Sequence, residues 1–503
     1  MKNKFLTILG LVAITALLNA CKKWVDYDPR EDFRITEQDY LRSENDYRTM
    51  AVSTYTPAQW MSTYMVVIGD IASDNSVSGG ENASDVLSFQ QIDDYTHTPI
   101  NANLTEVWQS GYEGVNRCNY LIQYKDANPA GSKIEFAGKE ALYGEVYFLR
   151  AFYYFSLVKM FGDVPLFTDR RLTLADSRKL SRSPKTEVYK QIEADLNRAI
   201  TALPAVQQQR GRITKYAAQA LLGKVFLYQN KFNEAAPVLQ SIITANAFSL
   251  VTNFGSIFLA SGENGPESVF EIQYSNTTPY YNWGGVTRGQ GNLAVQLCGV
   301  RGLNGSDAMP YASGWSFNLP TQNLAGAYAA GDLRKNVTIL DIEAYKNANP
   351  SFNITYQVAP YKNTGLYNQK YHPRKGETSG QLELNYLNNF RMIRYADVLL
   401  MAAEAYCKTT APDFARAQNY LNQVRRRAFG NNTNDISLTG EPLYQAVLDE
   451  RRLELAMEGE RFFDLVRTGQ TNKINGFVKG KHEVFPIPQR EVEVSGLTQN
   501  PGY

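Results

Sequence analysis

Acidic, amide and aromatic side chains supply most of the chemistry open to this chain. Histidine occurs only as His97, His372 and His482, far apart in sequence. That is a poor supply for a multi-histidine zinc site or a Ser-His-Asp triad. The four cysteines, Cys21, Cys118, Cys298 and Cys407, form no CxxC pair, which argues against a zinc ribbon or a thioredoxin-type site. There is no HExxH, GxSxG or P-loop motif. Gly289, Gly291 and Ala294 fit the loose dinucleotide pattern, but they follow no convincing strand and open no clear helix, so no cofactor is expected. Asp93 and Asp94 form a carboxylate pair of the kind glycoside hydrolysis needs, yet a solvated loop explains them as well. Asp70, Asp74, Asn75 and Glu81 offer oxygen ligands for calcium without EF-hand spacing, and no metal is assigned.

Binding chemistry is better supplied. The chain has 32 Tyr and 24 Phe, and a tyrosine or tryptophan ring joins an apolar face to a polar tip. Sugars and peptides stack on such faces while amides and carboxylates take their polar groups. Two loop clusters combine these side chains: Asp74, Asn75, Asp94 and Tyr95, and Tyr280, Tyr281, Trp283, Tyr311 and Trp315. Packing in a core is the competing explanation for each ring. Lys plus Arg number 51 against 50 Asp plus Glu, a balance with no electrostatic footprint for nucleic acid.

The elements that position these residues read as mainly helical. Tyr444 to Gly469 is apolar on more than one face and dense in charges three or four residues apart, so it reads as one buried helix with a structural ion-pair network. Gly459, mid-helix on this reading, predicts close backbone packing. Helices are also expected over Tyr40 to Tyr55, Trp108 to Tyr124 and Glu140 to Phe161, the last stopped by Gly162 and Pro165. The aromatics of Glu140 to Phe161 read as core. Residues 215–243 and 394–427 carry degenerate tetratricopeptide-like pairs, turning near Asn230 and Pro412, and Val188 to Pro204 resembles a repeat's second helix. Two stretches read otherwise. Gly69 to Asn103 is polar and loop-like, and Phe248 to Tyr386 loses helical periodicity, with strand-like runs SVFEIQY and ITYQVAPY.

Several of these runs carry a resemblance. DERRLELAMEGERFFDLVRTG, the closing VFPIPQREVEVSGLTQNPGY, YFLRAFYYFSLVKMFGDVPL, WQSGYEGVNRCNYLIQY and GWSFNLPTQNLAGAYAAGDLRK resemble, in family order, the SusD/RagB family of outer-membrane nutrient-binding lipoproteins. At the N-terminus, Lys2 and Lys4 precede an apolar run from Phe5 to Leu18, shorter than the ~20 residues of a membrane span and built like an export signal. Leu18-Asn19-Ala20-Cys21 resembles a bacterial lipoprotein signal box, which implies cleavage before Cys21 and lipid on its thiol; a plain secretory signal is the competing reading. Lipidation leaves three cysteines, an odd number that favours buried thiols, in helices for Cys118 and Cys407, over a disulfide framework. Lys22 and Lys23 depart from the acidic or small residues common there in the family, so the anchor alone does not fix the membrane face.

The resemblance implies a tetratricopeptide-like helical scaffold (SusD-like) with an irregular, loop-rich lobe containing short strands. The expected organisation is a signal peptide over 1–20, a lipid-anchored tether over 21–34, and one SusD-like domain over 35–503. Within that domain the scaffold takes 35–247 and 387–503, and the ligand-facing lobe takes 248–386. It also implies a cell-surface lipoprotein, anchored in the outer membrane and facing the exterior, that passes oligosaccharides or polysaccharides, or else peptides, to a SusC-like TonB-dependent transporter without breaking a bond. Family ligands contact variable loops, so no site residue transfers by motif. A lipid-anchored glycoside hydrolase and a structural or adhesin-like lipoprotein are the rival readings.

Overall fold

A computed structural model describes residues 36–283 and 288–503; Cys21, the signal peptide and the tether lie outside the described residues. Ten helices have ten or more residues among those described: α1 (Glu44–Ser53), α2 (Thr56–Ile71), α3 (Ala102–Gln123), α4 (Lys139–Phe161), α5 (Lys185–Ala202), α6 (Lys215–Tyr228), α7 (Phe232–Thr244), α8 (Tyr395–Lys408), α9 (Phe414–Phe429) and α10 (Gly440–Glu454). Six short strands, β1 (Ser76–Val77), β2 (Ser268–Ile272), β3 (Leu319–Pro320), β4 (Ile339–Asp341), β5 (Leu366–Asn368) and β6 (Phe390–Arg394), pair as β1–β3, β2–β6 and β4–β5, all antiparallel.

The chain's contacts divide it into two units. The first holds residues up to Met50 together with Tyr124–Ala137. In it the Thr36 side chain and Asp39 form a capping box, Tyr47 Oη donates to the Tyr124 carbonyl at 2.9 Å, and Tyr47 packs on Phe136. The second unit, Ala51–Gln123 with Gly138–Tyr503, contains the helical scaffold.

In that unit the helices stack in chain order, α2 on α3, α3 on α4, and so on to α8, which packs on both α9 and α10. The expected helical pairs are present. Asn230 makes its turn with φ +56°, and a Cβ on Gly223 would lie 2.5 Å from Leu239, so the glycine lets α6 and α7 close up. α4 is buried along nearly its whole length and its aromatics are core, with Phe148 and Phe270 edge to face at 4.9 Å. Arg150 on α4 grips Asp195 on α5 with two bonds of 2.7 and 2.8 Å. Cys118, Cys298 and Cys407 are buried free thiols, and Cys118 and Cys407 sit in helices.

Three expectations are corrected. Tyr444 to Gly469 is two helices: α10 ends at Glu454, and a short helix runs from Arg461 to Arg467. Between them Met457 and Gly459 take left-handed φ of +64° and +76°. The break puts Gly459 against α2, where a Cβ on Gly69 would lie 2.0 Å from the Gly459 carbonyl oxygen. Close backbone packing is there, but at a turn. Second, ITYQVAPY forms no strand, only a single bridge from Thr355 to Asn304; Ile354 and Tyr356 turn into a core cluster around Leu340 and Tyr367. Third, the polar stretch read as loop begins inside α2 and contains a helix, Leu87–Asp93.

The charges of the C-terminal helices are a core network. Glu454, fully buried, receives Arg427 at 2.6 Å, Arg394 at 2.8 Å and Arg334 at 3.1 Å. Arg394 also reaches Glu267 and Glu458, each at 2.7 Å, and Lys370 reaches Glu458 at 2.7 Å. A second knot joins Arg451 to Asp397 at 2.6 Å and Asp464 at 3.1 Å, while Lys224 bridges Asp397 and Glu460. Burial pushes the Glu454 carboxyl up, but the surrounding guanidiniums outweigh it and hold the group well below the usual range.

Candidate functional site

The residues of the first predicted cluster bond to other parts of the fold. Asp74 takes a two-pronged grip from Arg461, at 2.7 and 2.9 Å, and a third contact from Arg452 at 3.2 Å. Asn75 is fully buried and accepts from Arg452 Nε at 2.8 Å. Tyr95 is buried with φ +55°, donates to the Ala72 carbonyl at 2.5 Å and packs on His482 with ring centroids 4.8 Å apart. Asp94 is half-exposed and ion-paired with Lys362 at 2.6 Å, as is Asp93. Asp70 points elsewhere, accepting from Asn318 at 2.9 Å and the Gly459 N–H at 3.0 Å. Asp93 and Asp94 are thus taken up by Lys362 and Asp74 and Asn75 by Arg452, while Asp70 joins neither. Histidines distant in sequence meet: His97 and His482 lie 5.5 Å apart within a cluster that includes Tyr95, Phe485 and Tyr503.

The second cluster divides. Tyr311 is buried, packed on His372 at 4.6 Å, under Arg374 and beside Gln369. Trp283 and Trp315 come together, while the Tyr281 phenol lies toward Tyr274, Tyr64 and Glu106. Trp283 is 66% exposed and stacks on Trp315, centroids 6.0 Å apart and planes inclined by 29°. Its indole Nε1–H donates to Glu383 Oε1 at 3.0 Å, and its backbone N–H donates to Gln381 at 3.1 Å. Asn385 accepts the Tyr281 N–H at 2.8 Å and donates to the Tyr281 carbonyl at 3.0 Å. The Tyr280 ring lies against Gly380, where an added Cβ would be 2.9 Å from it. One segment, Gly380 to Asn385, thus fixes both backbone and indole of the Trp283 loop.

Trp315 is held from the other side. Its N–H donates to the Gln296 carbonyl at 2.8 Å, and its carbonyl accepts from Arg301 at 2.7 Å. Arg301 is itself paired with Asp85 at 2.7 Å and lies over the Phe317 ring. The result is a pair of indoles that present apolar faces beside the Glu383 carboxylate and the Gln381 amide, with Asn385 buried beneath them. Such a surface suits the C–H faces and hydroxyls of a sugar ring. Gln381, Glu383, Asn385 and Arg301 were not expected here. The turn that gathers the first three, closed by the Leu384 N–H on the Gln381 carbonyl at 3.0 Å, follows no periodic pattern that spacing could reveal.

Comparison with known proteins agrees with this architecture. The sequence model of the SusD family matches residues 266–503, and a second, described as starch-binding associating with outer membrane, matches residues 23–227. A laminarin-binding SusD-like protein of known structure is 34% identical, with a TM-score of 0.82 over 92% of this chain and 100% of that one. The chain belongs to the SusD family. Other SusD-family relatives include SusD-like protein P2 of Formosa agariphila, 27% identical over 500 residues and 94% of each chain. Surface glycan-binding protein A from Bacteroides thetaiotaomicron, solved in complex with laminarihexaose, is 25% identical with a TM-score of 0.79, over 91% of this chain and 99% of that one. In this SusD-family chain no described helix is long and apolar enough to cross a membrane.

Proposed function

We propose that this SusD-family chain is a non-catalytic glycan-capture protein whose binding face is the Trp283–Trp315 pair, flanked by Tyr280, Tyr281 and the Gly380–Asn385 turn. The observation that carries the reading is the exposure of Trp283: a tryptophan left two-thirds open, yet tied down through both its backbone and its indole nitrogen. Water gains nothing from a fixed indole, whereas a ligand binding to a preorganised ring loses less entropy. The laminarin- and laminarihexaose-binding relatives favour β-glucan oligosaccharides as ligand. Lipidation at Cys21, an anchor in the outer membrane facing outward, and delivery to a SusC-like TonB-dependent transporter complete the proposal. They rest on the signal-box resemblance and the family.

The test is calorimetric titration of the full chain, held in mild detergent, with laminarihexaose, starch oligosaccharides and peptides, followed by product analysis. The expected result is saturable oligosaccharide binding with no released product. Trp283→Ala or Trp315→Ala should weaken it by about tenfold or more, as loss of a central aromatic anchor does. Cleaved sugar would overturn the capture reading, and wild-type affinity in both variants would overturn the site.

A further inference from the structure

The edge of the indole pair carries a charge that no cation among the described residues offsets. Glu383 Oε1 accepts both Trp283 Nε1–H and the Gln381 amide, at 3.0 and 3.3 Å. Oε2 takes no hydrogen bond from another described side chain, and Glu383 is partly exposed. Burial pushes the Glu383 carboxyl up, but hydrogen bonds from Trp283, from its own backbone and from Gln381 bring it below the ordinary value, and no guanidinium or ammonium contributes. The neighbouring Tyr386 phenol is buried, donates to Gln296 Oε1 at 3.1 Å and stays neutral, its pKa raised by burial and then by Glu377 and Glu383. Arg301, the cation nearest Trp315 in the bonding pattern, is occupied by Asp85.

We propose that Glu383 is the specificity-determining residue of this site. Through Oε1 it fixes the Trp283 ring, and through Oε2 it offers an anionic acceptor to sugar hydroxyls, so that neutral glycans bind and uronate- or sulfate-bearing glycans are turned away. The proposal rests on the reading of Trp283 and Trp315 as the stacking face. Hydroxyl donors gain a charge-assisted bond at such an acceptor. A substituent carboxylate or sulfate a few ångströms from Oε2 instead meets a like charge in a partly solvated setting. That costs a factor of about 3–10 in affinity, and salt screens it.

Two probes with one backbone test this: laminarihexaose and the same oligosaccharide oxidised at C6 to glucuronates, each titrated into the full chain at low and high salt. The wild type should prefer the neutral probe by about tenfold, with high salt narrowing the gap. Glu383→Gln should shrink the preference by about 3–10-fold and remove most of its salt dependence. A ligand-free readout accompanies it. Iodide quenching of Trp283 fluorescence, isolated by difference from Trp283→Phe, should rise in Glu383→Gln while quenching by neutral acrylamide does not. An unchanged preference together with unchanged iodide quenching overturns the role of Glu383, and leaves the stacking face standing if Trp283→Ala still abolishes binding. Failure of the wild type to bind either probe, or binding indifferent to both tryptophans, overturns the stacking face and the selectivity with it.

Discussion

Replacing Glu454 by Gln removes one negative charge from the centre of the buried network while keeping the shape of the side chain. In the wild type three guanidiniums converge on that carboxylate at 2.6, 2.8 and 3.1 Å, and none of the four side chains is more than 4% exposed. Stripping a buried pair of one partner leaves the other charge uncompensated, a loss of about 3–5 kcal/mol. Unfolding entropy of about 2.1 cal/mol/K per residue, over a chain of 503 residues, gives about 1 kcal/mol per degree. Glu454→Gln should therefore melt about 3–5 °C lower by scanning calorimetry near neutral pH. Glu441→Gln is the matched control, because it removes the same charge from a surface pair with Lys408 at 2.6 Å, in which Glu441 is 70% exposed. Such a pair is worth about 0–1 kcal/mol, so the control should move by about 1 °C or less. Equal shifts in the two variants, or no shift in Glu454→Gln, would refute the argument that burial makes this network consequential.

Other expectations follow from single contacts. Gly459→Ala puts a Cβ 2.8 Å from the Val66 backbone at φ +76°; left-handed strain and overpacking together should cost about 2–4 kcal/mol in chemical denaturation. Asp70 is raised from 3.8 to about 7, by burial above all. Between those values the folded state keeps a proton that the unfolded state has lost, so this group's contribution falls as pH rises through the window and is constant above it. Asp70→Asn should remove that slope, making stability at mildly alkaline pH relative to acid pH better than wild type by about 1–4 kcal/mol; an unchanged slope counts against the shift. Tyr95→Phe deletes the 2.5 Å bond to Ala72, which should cost about 1 kcal/mol in stability and leave glycan titrations unchanged. A tenfold loss of glycan affinity there would return the first cluster to the binding face.

What the sequence made legible follows from how each element earns its stability. In the pairs α6–α7 and α8–α9 the second helix buries one stripe and a turn precedes it, and α6 carries the small Gly223 at its crossing with α7; these features are visible in a one-dimensional pattern. α2 is buried on almost every side, so its apolar residues show no stripe and the pattern gives no helix there. The split at Gly459 was hidden because the residues that break the helix, Met457 and Gly459, sit in a run whose charges look like helix-stabilising pairs. Only the position of α2 in space requires the turn. Tyr95, Tyr311 and Trp283 are alike in sequence, each an aromatic in a loop beside polar residues. What separates them is whether other segments cover the ring, His482 and Phe477 over Tyr95, His372 and Arg374 over Tyr311. That information lies hundreds of residues away for one and in the tertiary fold for the other.

The Asp74 grip has a bearing on the order in which the molecule can assemble. A ribosome delivers the chain from its N-terminus, so Asp74 is made long before Arg452 and Arg461, which clasp it. Glu267 and Arg334 likewise await Glu450, Glu454 and the arginine that links them, Arg394. Until the last tenth of the chain is made, each of these charges stays hydrated and the centre of the scaffold has no reason to dehydrate. The C-terminal helices act as a keystone set last. A chain stopped short of them would carry orphaned acids and arginines at its heart and remain open.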